Sequence, residues 1–155
     1  LQEFIDKIVK RFELEIKRTE AEIQYDIAEA PFILFPPIYL DSILTNLVSN
    51  ALKYRSPDRK PMIRISTKKE GEKIQLEFSD NGLGVDTEKH KNNLFKIRKV
   101  FHDHPDAKGF GLFITKKQME VLGGKIEIES EVGKGTTFHL EFINQSDESK
   151  KTDIN

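Results

Sequence analysis

A chain of 155 residues is the size of one ordinary domain, long enough to enclose a core. Its 25 Lys and Arg against 26 Asp and Glu leave a net charge of −1, without the basic excess of a nucleic-acid binder. With no cysteine there is neither a disulfide framework nor a thiolate metal site, which fits a reducing compartment. No apolar run approaches the roughly 20 residues that span a bilayer, and the N-terminus opens inside a helical pattern rather than a signal peptide, as an excised part of a longer protein would.

In chain order, residues 1–19 read as one amphipathic helix, with Leu1, Phe4, Ile5, Ile8, Phe12 and Ile16 at helical spacing. The period then changes: Ile23, Tyr25 and Ile27 alternate with polar residues as in a strand. Residues 32–35, between Pro31 and Pro36-Pro37, are expected to form a short buried strand. A second helix is predicted over 38–54, stopped by Ser56-Pro57-Asp58. Residues 62–69 and 74–78 alternate about a Glu70-Gly71-Glu72 turn and form a hairpin. Residues 81–108 have no clean period, and so long an irregular segment inside a compact domain is functional or mobile. A third helix over 110–122 ends at Gly123-Gly124. Two strands follow, carrying Ile126 and Ile128, then Phe138, Leu140 and Phe142, about a Val132-Gly133-Lys134-Gly135 turn. Residues 1–145 make the domain, and 146–155 form a polar tail expected to fray. The natural packing is an α/β two-layer sandwich, a mixed and mostly antiparallel sheet with three helices on one face.

Four segments carry chemistry. On the second helix Leu40, Ile43, Leu44, Leu47 and Ala51 make a core stripe, while Asn46, Asn50 and Lys53 fall at i, i+4 and i+7 beside it. Asn is a poor helix-interior residue. The stripe is either a solvated polar face or a row of amide oxygens and an ammonium turned toward a metal and phosphates. Asp80 continues the apolar row of Ile74, Leu76 and Phe78, so its carboxylate needs a partner at the end of a core-facing strand. Gly82 and Gly84 after it make a common turn or let a backbone approach a ligand. Lys108-Gly109-Phe110-Gly111-Leu112 opens the third helix, where exposed N–H groups and the helix dipole favour an anion. It is neither a dinucleotide-binding fingerprint nor a P-loop. Finally, Gly133-Lys134-Gly135-Thr136 is a turn in which Thr136 shares the inward face of Phe138, Leu140 and Phe142 and points where Asp80 points.

In this order and at these spacings, the four segments strongly resemble the catalytic ATP-binding domain of sensor histidine kinases, of the Bergerat-fold (GHKL, HATPase) superfamily. The resemblance covers residues 1–143. Asn46 to Tyr54 resembles the N box, Asp80 to Gly84 and Lys108 to Leu112 the two glycine boxes, and Gly133 to Phe138 the closing turn. Lys53-Tyr54 and Leu122-Gly123-Gly124-Lys125 favour kinases over the superfamily's chaperones and topoisomerases. The resemblance implies that Asp80 accepts the adenine amine with Thr136 nearby through water, and that Asn50 gives its carbonyl oxygen to Mg²⁺. It implies that Asn46 and Lys53 face the phosphates of ATP, that Tyr54 packs near the sugar-phosphate, and that Gly82 and Gly84 shape the adenine pocket. Gly109, Phe110, Gly111 and Leu112 would form the hinge and cradle of an ATP lid. Ala107-Lys108 departs from the small residues usual there, so the lid is stiffer or Lys108 contacts a phosphate. Phe95 and Phe101 both remain candidates for the F box.

The implied activity is transfer of the γ-phosphoryl group to a histidine on a separate dimerisation and phosphoacceptor helical domain, with a response regulator downstream. The setting is cytoplasmic, and this domain contacts neither nucleic acid nor membrane. None of His90, His102, His104 and His139 has the helical setting of a phosphoacceptor, and no residue is assigned as general base. A nucleotide-sensing module without transfer activity and an anti-sigma-type serine kinase are the rival readings. The cations Lys89, Lys91, Lys96, Arg98, Lys99 and Lys108 predict a lid that orders over a triphosphate.

Overall fold

The computed structural model describes residues 1–90, 95 and 111–144. Among the described residues, five helices, α1 (Gln2–Arg11), α2 (Glu13–Thr19), α3 (Pro37–Lys53), α4 (Thr87–His90) and α5 (Gly111–Glu120), accompany five strands. The strands are β1 (Glu22–Asp26), β2 (Met62–Glu70), β3 (Lys73–Asp80), β4 (Lys125–Glu131) and β5 (Gly135–Ile143). They form one sheet in the order β1-β2-β3-β5-β4. β1 runs parallel to β2, because α3 carries the chain back across the sheet between them; β2–β3 and β4–β5 are antiparallel hairpins, and β3 pairs antiparallel with β5 although α4, α5 and β4 intervene in sequence.

The alternation in the sequence decides which face is covered. Ile63, Ile65, Ile74, Leu76, Phe78, Phe138, Leu140 and Phe142 are buried together with Ile5 and Ile8 of α1, Leu40 to Leu52 of α3 and Met119 of α5. One core therefore lies between the sheet and the helices, as the two-layer reading expects. Gln75, Glu77, His139 and Glu141 occupy the alternate positions of β3 and β5 and stay outside it. Pro37 at the first helical position of α3 gives up no hydrogen bond there, since that N–H has no intrahelical acceptor. At the end of α5, Gly123 takes φ 75°, and the Gly124 N–H closes on the Met119 carbonyl at 2.9 Å.

Three expectations change. The N-terminal helix is two: Phe12, at φ −99° and ψ 17°, breaks it, and α2 buries no residue. Ile16 still packs against the core beyond the break, so the helical period continues while the helix itself is interrupted. The segment 32–35 is not a strand. Phe32 and Leu34 are 79% and 61% exposed, while Ile33 and Phe35 pack on the core and Phe35 meets Phe142 edge-on at 5.1 Å. The alternation is genuine, but the Leu34 N–H goes to the Asn144 side chain at 2.7 Å rather than to a ladder. The irregular segment also contains one short helix, α4, whose Lys89 N–H is accepted by Asp86 at 3.0 Å. Residues 145–155, including the polar tail, lie outside the described residues.

Candidate functional site

Asp80 closes β3, opposite Ile63 on β2 and Thr136 on β5. Its strand parity carries the carboxylate into the sheet's covered face, at the edge of the core. There Oδ1 accepts the Gly82 N–H at 2.8 Å. Burial pushes the carboxyl from 3.8 up to about 6; hydrogen bonds from the Gly82 and Thr136 backbones and the nearby Arg59 charge act in the opposite direction. An inward carboxylate with spare lone pairs is an acceptor waiting for a donor.

The glycines after Asp80 are required by their surroundings. A Cβ on Gly82 would lie 2.6 Å from the Tyr54 carbonyl oxygen and 2.9 Å from Asp80 Oδ1. Gly84 has φ +68°, and a Cβ there would collide with the Glu131 carbonyl. The Leu83 N–H donates to the Tyr54 carbonyl at 2.9 Å, and the Gly133 N–H donates to Leu83 at 2.8 Å. The segment after β3 is thus held between the end of α3 and the β4–β5 turn. Burial raises the Tyr54 phenol above its ordinary range, so it remains neutral.

Thr136 lies directly across from Asp80, as strand parity required, and its hydroxyl is 2.8 Å from Ser130 Oγ. Ser130 also accepts the Val85 N–H at 2.8 Å and donates to the Gly135 carbonyl at 2.9 Å. It therefore couples the segment after β3 to the turn that carries Thr136. Ser130 and Arg59 are missed in the sequence. Ser130 has only its inward parity to mark it, and Arg59 sits in a loop with no periodicity at all.

The other end of the site is where α3 meets α5. Asn46 Nδ2 lies 3.4 Å from the hydroxyl of Thr115, which is fully buried, and 3.5 Å from the Gly111 carbonyl. A Cβ on Gly111 would be 3.8 Å from both the Asn46 and Asn50 amides. The polar stripe of α3 is therefore no open solvated face along its length: the first turn of α5 sits over it. Leu112 packs against the core beside this junction. Lys53 continues the stripe into the last turn of α3. Lys108, Gly109 and Phe110 lie outside the described residues, as do His102, His104 and Phe101. Of the F-box candidates, Phe95 packs against the core with the Lys116 ammonium 5.5 Å from its ring centre.

His139 turns to the outer face, as its parity required, between Glu77 at 3.8 Å and Glu129 at 3.4 Å, on the opposite side of the sheet from Asp80. His90 lies in α4. Among the described residues no group of three His, Asp or Glu side chains could hold a metal ion by itself. No described helix is long and apolar enough to cross a membrane.

Residues 36–146 match the family model of histidine kinase-, DNA gyrase B- and HSP90-like ATPases. The chain belongs to this ATPase family. Within the family it is a catalytic domain of the histidine-kinase type. It is 31% identical over 140 residues to the sensor protein RprX of Bacteroides fragilis, a match covering 88% of this chain and 27% of that protein. It is 30% identical over 142 residues to the phytochrome-like protein Cph1 of Synechocystis, covering 90% of this chain and 18% of the relative. The chain thus spans about a quarter or less of the length of these relatives. Its fold is that of the nucleotide-free catalytic domain of histidine kinase ThkA, with TM-score 0.79, 22% identity, and coverage of 94% of this chain and 95% of the other. A histidine kinase of Acinetobacter baumannii, AdeS, aligns with TM-score 0.75 and 20% identity over 94% of this chain and 65% of that one.

Proposed function

We propose that this ATPase-family domain binds Mg-ATP and donates the γ-phosphoryl group to a histidine on a separate helical domain of the protein to which it belongs, with a response regulator as the next acceptor. The observation that carries the reading is Asp80: a carboxylate at the end of a core-facing row, with Gly82 packed beside it and Thr136 opposite. The Gly82 and Thr136 backbones use only part of its hydrogen-bonding capacity, and the exocyclic amine of adenine suits the rest. Thr136, held by Ser130, lies close enough to share the water around that amine. Gly84 keeps the backbone flush so that a planar base fits against it.

At the α3–α5 junction, Asn46, Asn50 and Lys53 face the phosphates. Gly111 offers backbone N–H groups at a helix start, and Lys108, Gly109, Phe110 and Leu112 complete the lid side. Tyr54 packs near the sugar-phosphate. The donor set suits Mg²⁺ and not a protein-caged metal: Asn50 provides one neutral amide oxygen, and phosphate oxygens and water provide the rest. Bound Mg²⁺ supplies charge neutralisation for the phosphates. The chain's own residues do the orienting, which is most of what phosphoryl transfer asks of a protein.

A complex of ThkA with the response regulator TrrA, similar in fold to this chain with TM-score 0.72 at 22% identity over 94% of this chain and 40% of the other, supports the downstream partner. The test is calorimetric titration of Mg-ATP into the wild type and Asp80→Asn. Exchanging an acceptor oxygen for a donor removes a hydrogen bond to a charged group, expected to cost about 1.5–3 kcal/mol, or about tenfold to a hundredfold in affinity. Equal affinity in the two proteins would overturn the adenine assignment.

A further inference from the structure

Arg59 lies in the loop between α3 and β2. Its Nε donates to the Asn81 carbonyl at 2.7 Å, and its Nη2 donates to the carbonyls of Gly82 at 2.8 Å and Gly133 at 2.9 Å. One guanidinium thus joins three segments: its own loop, the glycine segment that follows Asp80, and the β4–β5 turn that leads to Thr136. Asn81 is held from its side chain as well, accepting the Met62 N–H at 2.8 Å and donating to the Lys60 carbonyl at 3.0 Å. The Asn81–Gly82 peptide is therefore fixed on both sides, and it is this peptide that sets the Gly82 N–H on Asp80 Oδ1.

What Arg59 does not do is equally informative. Its fork matches a carboxylate in geometry, yet it is committed to backbone carbonyls, and no ion pair joins it to Asp80 among the described residues. A direct pair would occupy the carboxylate oxygens. One peptide away, the charge still acts on Asp80 while the lone pairs not used by the Gly82 and Thr136 backbones remain for a ligand. We propose that Arg59 is a positioning residue for purine recognition: it fixes the Asn81–Gly82 peptide and compensates the inward charge of Asp80 from a distance, leaving the carboxylate free to accept the base. This inference rests on the adenine-site reading above.

Among the described residues, Arg59 is the cation that acts on Asp80. The neighbouring strands present Ile63 and Thr136, which do not ionise, and the titratable residue at the end of α3, Tyr54, stays neutral. Removing the arginine charge therefore raises the pH at which Asp80 takes up a proton. A protonated carboxyl is a poorer acceptor, so nucleotide affinity is lost at a higher pH.

The experiment is calorimetric titration of ADP from pH 5 to 8 into the wild type, Arg59→Gln and Arg59→Lys, with folding checked by circular dichroism. Phosphate titration is common to all three and cancels in the comparison. We expect Arg59→Gln to bind about tenfold more weakly at pH 7, with the midpoint of its acid-side loss of affinity moved up by about half a pH unit. Arg59→Lys keeps the charge but lacks the planar fork whose Nε and Nη2 reach separate carbonyls, so it restores the midpoint while affinity stays reduced. Wild-type affinity and midpoint in a folded Arg59→Gln would overturn the proposal, as would reduced affinity with an unmoved midpoint. If Arg59→Gln does not fold, wild-type affinity in Arg59→Lys overturns it. Failure of the wild type to bind ADP, or binding unchanged by Asp80→Asn, would instead remove the adenine-site reading and leave the Arg59 contacts purely architectural.

Discussion

At the scale of single residues, the site is built at the expense of stability. A carboxyl whose pKa rises from 3.8 unfolded to about 6 folded contributes nothing only well below 3.8, where both states are protonated. It destabilises the fold increasingly as pH rises from 3.8 to about 6, and the cost is constant above that. A shift of about two pH units corresponds to at most about 3 kcal/mol, since each unit is worth about 1.4 kcal/mol. Asp80→Asn keeps an oxygen for the Gly82 N–H and has no charge to bury. We therefore expect thermal unfolding of the nucleotide-free variant to show a higher Tm than wild type at pH 7.5 and a difference that shrinks from about pH 6 downward and is gone only well below the unfolded value of 3.8. The same variant loses ATP. A lower Tm at pH 7.5 would mean that Asp80 is structurally satisfied and not held for a ligand. Gly84 makes the converse case: Ala there must adopt a positive φ, costing roughly 1–2 kcal/mol, and also displace the Glu131 carbonyl. Gly84→Ala should lower Tm at every pH, as a pH series of melts would register.

At the scale of elements, α3 carries two stripes with different tasks. Leu40, Ile43, Leu44, Leu47, Val48, Ala51 and Leu52 face the core and hold the helix on the sheet. Asn46 and Asn50 face the start of α5. Asn46 has a structural share of that work, because its amide meets the buried Thr115 hydroxyl. Asn46→Ala should cost about 1–3 kcal/mol of stability through that unpaired group, measurable by urea unfolding without nucleotide. Asn50 is the cleaner probe of metal binding, with no hydrogen bond to lose among the described residues. Asn50→Ala should unfold as wild type does, bind adenosine unchanged, and lose the Mg²⁺ dependence of ATP binding. An equal loss for adenosine and Mg-ATP in calorimetry would return Asn50 to a structural role.

At the scale of the whole molecule, Asp80 and the α3–α5 junction are both on the helix-covered face, whereas the described strand histidine, His139, is on the other side of the sheet. Phosphoryl transfer needs the reacting atoms within about 3–3.5 Å. The chain alone should therefore bind ATP without labelling itself. Labelling should appear when the parent's helical hairpin bearing the acceptor histidine is supplied, weakly as a separate chain and strongly when fused, because fusion raises the effective concentration. The product should be acid-labile and alkali-stable. Robust self-labelling of the isolated chain would place the acceptor within it, and an acid-stable product would favour serine as the acceptor.

Much of this was legible from one dimension. Period-two and period-3.6 patterns depend only on backbone geometry, so the hairpins, the core row through Asp80, the inward Thr136 and the polar stripe of α3 could be read off directly. The end of α5 was marked by its paired glycines. What the tertiary structure decided was everything that joins segments far apart in sequence. It broke the first helix at Phe12 and left 32–35 outside the sheet, with the Leu34 N–H bonded to the Asn144 side chain. It placed β1 parallel beside β2, set Gly111 over Asn46 and Asn50, and brought Arg59 onto carbonyls 22 to 74 residues away. Loop side chains such as Arg59 have no period, and their partners are backbone carbonyls, which every residue type presents alike. The residues proposed to contact the nucleotide carry a pattern in the sequence, while the one proposed to position them is visible only once the chain is folded.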